Sequence, residues 1–295
     1  MRKLLASLGL VALVLSACAS TPSDGAAPAG DSLPALLDAM QKTNDAGSAR
    51  MAINMTFASP QQTVHVTGDV EYVMDPTDPT SLRERVLLDI PSLGMMPGGK
   101  VEMIVAKGSA IYVRAPMFAS FIPATTPWIK LDPSTLPQSQ GGIGAAAAVN
   151  PAAILAAIKD ALTVEEVGPD TVDGVGTTHY RATVDLEKLL PLLVEMAPDK
   201  PTDAEMQKAK DQLEKLGLLS LPIELWVDGA GLLKQAQLAL DLSAMDPDHP
   251  GTSFSVTLTF SDIGEHISID VPPASQVTDI TDLLTSGLSP VTSLA

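Results

Sequence analysis

The chain has 295 residues and a formal charge of −17 at pH 7, so it is strongly acidic. This charge argues against nucleic-acid binding, which depends on Lys and Arg side chains that displace counterions from phosphates. Aromatic residues make up only 3% of the chain, so stacking sites for sugars or bases have little material. The single cysteine, Cys18, excludes an internal disulfide, and an apolar fraction of 45% is sufficient for a core.

The first 18 residues have the layout of a signal peptide that ends in a lipobox. A basic start at residues 1–3 precedes an apolar run at residues 4–15, and the small pair Ser16-Ala17 stands before Cys18. The run is shorter than the roughly 20 residues of a membrane-spanning helix. We therefore predict cleavage before the cysteine and acylation of its thiol, with palmitate as one expected chain. An ordinary secretory signal with an incidental cysteine is the alternative.

The predicted organisation has four parts: a signal peptide at 1–17, a lipidated flexible tether at 18–30, a single domain at 31–284 and a frayed tail at 285–295. The tether has no large apolar residue and cannot fold alone. Two or more acyl chains anchor a protein stably, whereas one chain is marginal. We expect a lipid-anchored protein at the extracytoplasmic face of the cell membrane.

The first half of the domain is predicted to be one helix followed by six strands. Ser32 caps the helix and Gly47 ends it, after which helical spacing changes to alternation. The strands are predicted at 51–57, 64–72, 83–90, 101–106, 110–114 and 128–131. The apolar positions that we expect to face the interior are Ile53, Met55, Phe57, Val66, Val70, Tyr72, Leu88, Met103, Val105 and Val113.

The second half mixes helices and strands. Asn150-Pro151 opens a helix, another helix covers 186–196, and a capping box at Thr202 and Glu205 opens a third. The inward stripe of that third helix is predicted to be Met206, Ala209, Leu213 and Leu216. Strands are predicted at 163–167, 177–185, 223–227, 232–242, 253–261 and 266–271. The further inward positions are Leu155, Ile158, Leu189, Leu193, Leu225, Val256 and Leu258.

Alternation over so many strands predicts the fold class. One polar and one apolar face are typical of an antiparallel sheet, and a sheet of about ten strands tends to curl. We predict an α+β fold: a strongly curved antiparallel sheet, or half-open β-barrel, that a few helices close around an apolar cavity. The 12 methionines are either core filler or a compliant wall for an apolar ligand.

No pattern in the sequence predicts catalysis. The chain lacks a nucleophile elbow, a phosphate-binding loop and a zinc-protease motif. Of the four histidines, His65, His179, His249 and His266, three lie in predicted strands with no acidic or histidine partner at ligand spacing. Asp246, Asp248 and His249 resemble half a cation site but fit a solvated turn better. We therefore predict no enzyme, no cofactor and no metal.

Three motifs resemble a known family. They are Asp173-Gly174-Val175 with the strand 178–185, the segment 221–228, and the segment 269–274. They are similar to motifs of the LppX/LprG/LprA/LprF family of actinobacterial lipoproteins, and the resemblance covers most of the domain. It implies a fold like that of the LolA/LolB carriers, and an apolar cavity that binds acylated lipids or glycolipids. It carries over no catalytic residue and a single defined position, Cys18.

The leading hypothesis is a lipoprotein that binds acylated lipids or glycolipids and takes part in their transport across the cell envelope. Met95, Met96 and the segment 118–122 are candidate gates, or else they cover the barrel end. The expected partners are a lipid ligand, the membrane through Cys18 and an envelope transporter, without nucleic acid, and a monomer is expected. The alternative is a non-carrier envelope lipoprotein, a sensor or scaffold that binds protein partners.

Overall fold

Alternating segments of the sequence pair into one sheet. The computed structural model describes residues 32–92, 98–106, 110–115, 126–132, 159–190, 201–243 and 250–281. In this part of the chain the helices are α1 (Ser32–Asp45) and α2 (Asp203–Lys215), with short helical stretches at 159–161 and 186–190. The strands are β1 (Ser48–Ala58), β2 (Thr63–Asp75), β3 (Asp78–Ile90), β4 (Gly99–Val105), β5 (Ile111–Arg114), β6 (Trp128–Leu131), β7 (Leu162–Val172), β8 (Val175–Asp185), β9 (Ser220–Asp228), β10 (Leu233–Asp241), β11 (Ser253–Ser261) and β12 (Val277–Asp279).

The sheet has twelve strands in the order β12-β6-β5-β4-β3-β2-β1-β11-β10-β9-β8-β7. Every neighbouring pair is antiparallel except β12 and β6, which are parallel. The central strand β1 pairs with β2 on one side and with β11, far along the chain, on the other. The edges β12 and β7 do not pair with each other, so the sheet is not closed. The predicted antiparallel α+β arrangement is confirmed at this level.

One face of the sheet, called here the inner face, is apolar. Met55 on β1 lies opposite Val66 on β2 and Val256 on β11, and residues directly opposite each other share a face. The helix α1 packs against this face, where Leu36 and Met40 are buried together with Leu225. The apolar spacing of α1 therefore serves the core of the sheet, as amphipathic spacing predicts.

A segment without strand structure, residues 264–273, crosses the other, outer face and is called here the strap. Its Ile267 and Ile269 are buried in one cluster with Ile104 of β4 and Trp128 of β6. The predicted strand at 266–271 is therefore wrong. Alternation reports which side chains are buried, and in the strap they are buried by packing rather than by pairing; the last strand is β12 instead.

Two strands extend furthest beyond their predicted bounds. β3 begins at Asp78 rather than at 83, because its pairing with β2 continues to a tight turn beside Asp75. β7 continues to Val172 rather than ending at 167, and it passes a register irregularity between Glu166 and Gly168. The predicted turn at 173–174 is confirmed: both residues have positive φ, 49° and 80°, as two-residue hairpin turns require.

The helix α2 differs from its prediction in what it buries. Its capping box is present, since the Glu205 backbone N–H donates to Thr202 Oγ1 at 3.3 Å and the Thr202 backbone N–H donates to Glu205 Oε2 at 2.9 Å. None of its residues is buried, and Ala209 of the predicted inward stripe is exposed. The helix is instead tied to residue 187 by an ion pair between Lys210 and Glu187. α1, which packs on β7 and β10, occupies the face that the stripe was expected to cover.

Candidate functional site

The predicted interior positions come together on the inner face. All of those on described strands share this face by register: Ile53, Met55, Phe57, Val66, Val70, Tyr72, Leu88, Met103, Val105, Val113, Leu225, Val256 and Leu258. Leu189, in the helical stretch 186–190, is buried. Leu155, Ile158 and Leu193 lie outside the described residues.

One half of the inner face is filled. This packed half consists of β8 to β11 with α1 on top. Leu36 of α1 and Ala182 of β8 are 0% exposed, and Leu233 of β10 is 1% exposed. The other buried inward residues of these strands are Tyr180, Val184, Leu225, Val227, Ala236, Leu238, Val256, Leu258 and Phe260. Their packing is that of an ordinary protein core.

The other half of the inner face, called here the open half, consists of β2 to β6 and is apolar but not filled. Val70 and Ile111 are buried. The remaining apolar inward positions that the strand register gives are only half-buried: Val64, Val66, Val86, Leu88, Ile90, Val101, Met103, Val105, Val113, Ile129 and Leu131. The packed half also has partly buried inward positions, Leu221, Ile223, Leu240 and Phe254, but these pack against its fully buried cluster.

The strand β4 shows this contrast within seven residues. Its outward Glu102 and Ile104 are buried, whereas its inward Val101, Met103 and Val105 are half-buried. On this strand the outward side, which carries a glutamate, is therefore more buried than the apolar inward side. The strap covers the outward side of β4, and the described part of the chain places no comparable cover on the inward side.

Ion pairs with neighbouring side chains stabilise the buried carboxylate of Glu102 on the outward side, and they belong to a longer ladder of charges. Six side chains of alternating charge cross the outer face: Asp262, Arg50, Glu71, Arg85, Glu102 and Arg114. Arg85 Nε donates to Glu102 Oε1 at 2.8 Å, and Arg114 donates to the other carboxylate oxygen. Arg114 also lies over the ring of Trp128, 5.0 Å from its centroid. The hydrogen bonds to Glu71 and then to Asp262 raise the pKa of Arg50.

A second polar cluster lies on the outer face of β7 to β9, around His179. Its Nε2 lies 2.6 Å from Glu224 Oε2, and Arg181 Nε donates to Glu224 Oε1 at 2.9 Å. The His179 ring stacks on Trp226 with centroids 4.4 Å apart, and Trp226 Nε1 donates to Asp170 Oδ2 at 2.8 Å. That last bond is the main cause of a lowered pKa of Asp170.

The structure gives His179 an acidic partner, Glu224, that spacing along the chain did not indicate. The antiparallel register of β8 and β9 places Arg181 opposite Glu224 and His179 opposite Trp226, which makes His179 and Glu224 diagonal neighbours. Spacing along the chain does not reveal a pair that is 45 residues apart. In the described residues His179 hydrogen-bonds to Glu224 and to no hydroxyl nucleophile, and no three His, Cys, Asp or Glu side chains are grouped to hold a metal.

Glu84 is a polar residue of the inner face that alternation along β3 could have revealed. It lies opposite Tyr72 on one side and Val105 on the other, on the same face as Val86 and Leu88. Burial raises the pKa of Glu84, and burial likewise raises the pKa of Tyr72. The predicted interior list contains Tyr72 but not Glu84, because only apolar and aromatic positions were selected.

Several predicted features lie outside the described residues. They are Cys18 with the signal peptide and tether, the candidate gates at Met95, Met96 and 118–122, the helix opened by Asn150-Pro151, the Asp246/Asp248/His249 turn and the tail at 285–295. Within the described ranges, no helix combines the length and the apolar character that crossing a membrane requires.

Comparisons with known proteins give likenesses of limited extent. No family model matches the chain. A stretch of 125 residues is 31% identical to an uncharacterized 31.2 kDa protein from the rplA-rplJ intergenic region of Streptomyces griseus. That match covers 42% of this chain and 37% of the relative, so it spans little more than a third of the relative's length.

The similar solved structures include the lipoprotein LppX of Mycobacterium tuberculosis, with 16% identity, a TM-score of 0.45, and coverage of 82% of this chain and 100% of that one. LprF of Mycobacterium bovis has 15% identity, a TM-score of 0.42, and coverage of 84% and 100%. The LolA superfamily protein NE2245 of Nitrosomonas europaea has 12% identity, a TM-score of 0.24, and coverage of 82% and 94%. The predicted resemblance is thus confirmed, but at TM-scores below 0.5 no function follows from it.

Proposed function

We propose that the chain is a lipid-binding lipoprotein whose open half holds the acyl chains of its ligand. The observation that carries this proposal is the incomplete burial of the apolar inward side chains on β2 to β6. Each Å² of apolar surface removed from water contributes about 25 cal/mol, so acyl chains laid against this half have a strong driving force. The described part of the outer face carries instead the paired charges of the ladder and of the His179 cluster.

The proposed site is a cavity between the inner face and segments that approach it. Its walls would be the predicted interior residues of β1 to β5, extended by Leu155, Ile158, Leu189 and Leu193, with Leu225, Val256 and Leu258 towards the packed half. Curvature of the sheet into a half-open barrel would bring these residues around the ligand. Met103 would be an adaptable part of this wall, since methionine fits irregular apolar surfaces.

The proposed place of work is the extracytoplasmic face of the cell membrane. Acylated Cys18 would be the anchor, and the tether at 18–30 would give the domain reach from the membrane surface. The lipid on Cys18 and the lipid in the cavity would be separate molecules at separate sites. A monomeric carrier of this kind would exchange its ligand with an envelope transporter and thereby take part in lipid transport.

The decisive experiment is analysis of lipid that copurifies with the full chain carrying Cys18→Ser. We expect this variant to leave the membrane fraction and still to yield acylated lipid, close to one ligand per protein, in mass spectrometry of an organic extract. Consistently lipid-free protein after detergent-free purification would contradict the carrier function. It would favour the alternative, an envelope sensor or scaffold that binds protein partners.

Two neighbouring positions on β2 provide a matched test of the face. Val66 points inward and is half-buried, whereas Thr67 points outward and is exposed. Val66→Trp should fill part of the open half and lower the copurified lipid several-fold. Thr67→Trp adds the same side chain on the outer face and should leave the lipid content unchanged. Equal lipid loss in both variants would place the ligand elsewhere.

A further inference from the structure

A carboxyl group stands among the apolar side chains of the open half. Glu84 lies in a row of direct cross-strand neighbours that runs from Ala49 on β1 through Tyr72, Glu84 and Val105 to Ile111 on β5. The polar atoms of this row are the Glu84 carboxyl and the Tyr72 hydroxyl. Directly opposite residues of an antiparallel pair have Cβ atoms about 5 Å apart, so the two groups can contact one ligand atom together.

Neither polar group is satisfied within the protein as described. The structure gives Glu84 and Tyr72 no side-chain hydrogen bond or ion pair with any of the described residues. Other carboxylates of the sheet behave differently: Glu71, Glu102 and Glu224 face outward and each lies beside an arginine. Both side chains are half-buried, so water can reach them when the site is empty, and a ligand that covers them can supply a hydrogen bond in its place.

The neighbouring rows of the inner face are apolar. The next inward position along β3 is Val86, flanked by Val70 and Met103, and the positions beyond it are Leu88 and Ile90. Six residues separate Glu84 from Ile90, which at about 3.3 Å per residue gives an apolar track of roughly 20 Å. The arrangement has one polar point at one end of a long apolar surface, and this matches an amphipathic lipid.

We propose that Glu84 and Tyr72 are the polar recognition point of the lipid site, and that they select ligands with an uncharged ester or hydroxyl group over ligands with an anionic phosphate. This proposal rests on the proposed lipid binding and adds the residues and the ligand class. A protonated carboxyl and a phenol each donate one hydrogen bond and also accept, so both can bind an ester carbonyl or a hydroxyl.

The protonation and charge of the Glu84 carboxyl explain why uncharged lipids should be preferred over anionic ones. Burial favours the neutral form of Glu84, and a neutral carboxyl can donate to an ester oxygen. If a phosphate came close, a carboxylate would repel it, and no inward-facing Lys or Arg on the described paired stretches of β2 to β6 would compensate. The formal net charge of −17 further disfavours anionic head groups.

The test compares two lipids with identical acyl chains, dioleoylglycerol and dioleoylphosphatidic acid. Their Kd values would be measured by competition with a fluorescent acyl probe on the full chain carrying Cys18→Ser. We expect the protein to bind dioleoylglycerol about tenfold more tightly than the phosphatidic acid. Glu84→Leu should lower this preference several-fold, whereas Glu84→Gln, which still donates a hydrogen bond, should keep the tight binding of dioleoylglycerol. Tyr72→Phe should weaken dioleoylglycerol binding a few-fold.

The matched control is Asp89→Leu, which removes an exposed carboxylate from the outward side of the same strand and should leave both Kd values unchanged. If both lipids bind and Glu84→Leu keeps the original preference, the recognition point is wrong while the lipid-binding function stands. Tighter binding of the phosphatidic acid by the parent protein would also overturn the proposed recognition point. If the parent protein binds neither lipid, the proposed function and this inference fail together.

Discussion

The two halves of the sheet are built from the same alternating pattern but are covered on opposite sides. In the packed half, α1 lies on the inner face and buries Leu36 against β8 to β10. In the open half, the strap lies on the outer face and buries Ile267 and Ile269 against Ile104 and Trp128. Each half thus has an apolar core, and in the open half that core is on the outside.

Under the proposed function, this difference separates stability from binding. Because the strap supplies buried apolar contacts to β4 and β6, the open half can keep its inward side chains half-buried. A ligand surface that is also the core would collapse or require refolding when the ligand leaves. Substitutions in the packed half should therefore act on the free energy of unfolding, and inward substitutions in the open half should act mainly on ligand binding.

The largest expected effect is that of Leu36→Ala in the packed half. Truncation of a fully buried leucine leaves a cavity, and the free energy of unfolding should fall by about 2–5 kcal/mol. Met103→Ala, at a half-buried inward position of β4, should cost less than about 1.5 kcal/mol and lower the lipid content instead. Urea denaturation of lipid-free protein measures both values. Equal losses of stability would contradict the division into two halves.

The next effect is expected at Glu102, which holds Arg85 and Arg114 on the outer side of the open half. Glu102→Gln removes the charge from a side chain that is only 5% exposed and weakens two charge-assisted hydrogen bonds. Because both arginines stay about half exposed and can be solvated, we expect a loss of about 1–3 kcal/mol in the free energy of unfolding. The control Asp69→Asn, at an exposed position of β2, should stay within about 0.5 kcal/mol. An effect no larger than that of the control would show that the ladder is dispensable.

A smaller effect is expected from the pH dependence of stability at Glu84. Burial raises its pKa in the folded protein above the ordinary value of 4.5, so the unfolded chain releases this proton first. The contribution of Glu84 to stability should then fall as pH rises from 4.5 through the raised pKa, and the penalty should persist above it. Denaturation midpoints of lipid-free Glu84→Gln between pH 4 and 8 should lack this fall. Parallel pH profiles of the denaturation midpoint in the variant and the parent would contradict a raised pKa at Glu84.

The smallest effect concerns the edge of the open half, where β12 meets β6. Lys130 Nζ donates to Asp279 at 2.8 Å, and this bond, with those from Thr281, lowers the pKa of Asp279 to about 2. Its contribution is present above the ordinary value of 3.8 and is lost as pH falls towards 2. Between these values, the protection factor of the Ile280 amide, which donates to Lys130 O, should fall in the parent relative to its value at pH 4. Asp279→Asn should show no such added change, and the exposed control Asp270→Asn should behave like the parent.

Local patterns predicted the bounds of some elements. The strand at 253–261 and the short strand at 128–131 have the predicted bounds, because alternation marks where side chains point to opposite faces. The capping box at Thr202 is present because it depends only on residues close in the chain. The same patterns failed for the strap, where Ile267 and Ile269 alternate without pairing. They also failed for α2, whose stripe is not buried, because periodicity does not reveal whether a partner surface is vacant.

The sequence predicted which face of the sheet carries the candidate site, but not how far its side chains are buried. Alternation placed Met55, Val70 and Met103 on one side of the sheet, and the register agrees. It did not indicate that Val256 would be buried while Met103 would stay half-buried, since that depends on where α1 and the strap lie. His179 and Glu224 were missed for a related reason: their contact exists only through the pairing of β8 with β9.

The sequence by itself determined that this chain makes an amphipathic sheet with an acidic surface, because side-chain direction along a strand alternates with a period of two whatever the fold. It also carries the pattern from which anchoring at Cys18 is predicted. The tertiary structure alone decided which part of the apolar face is filled and which carboxyl, Glu84, stands within the unfilled part. Those outcomes depend on register and on the placement of covering segments, and both are set by contacts between residues far apart in the chain.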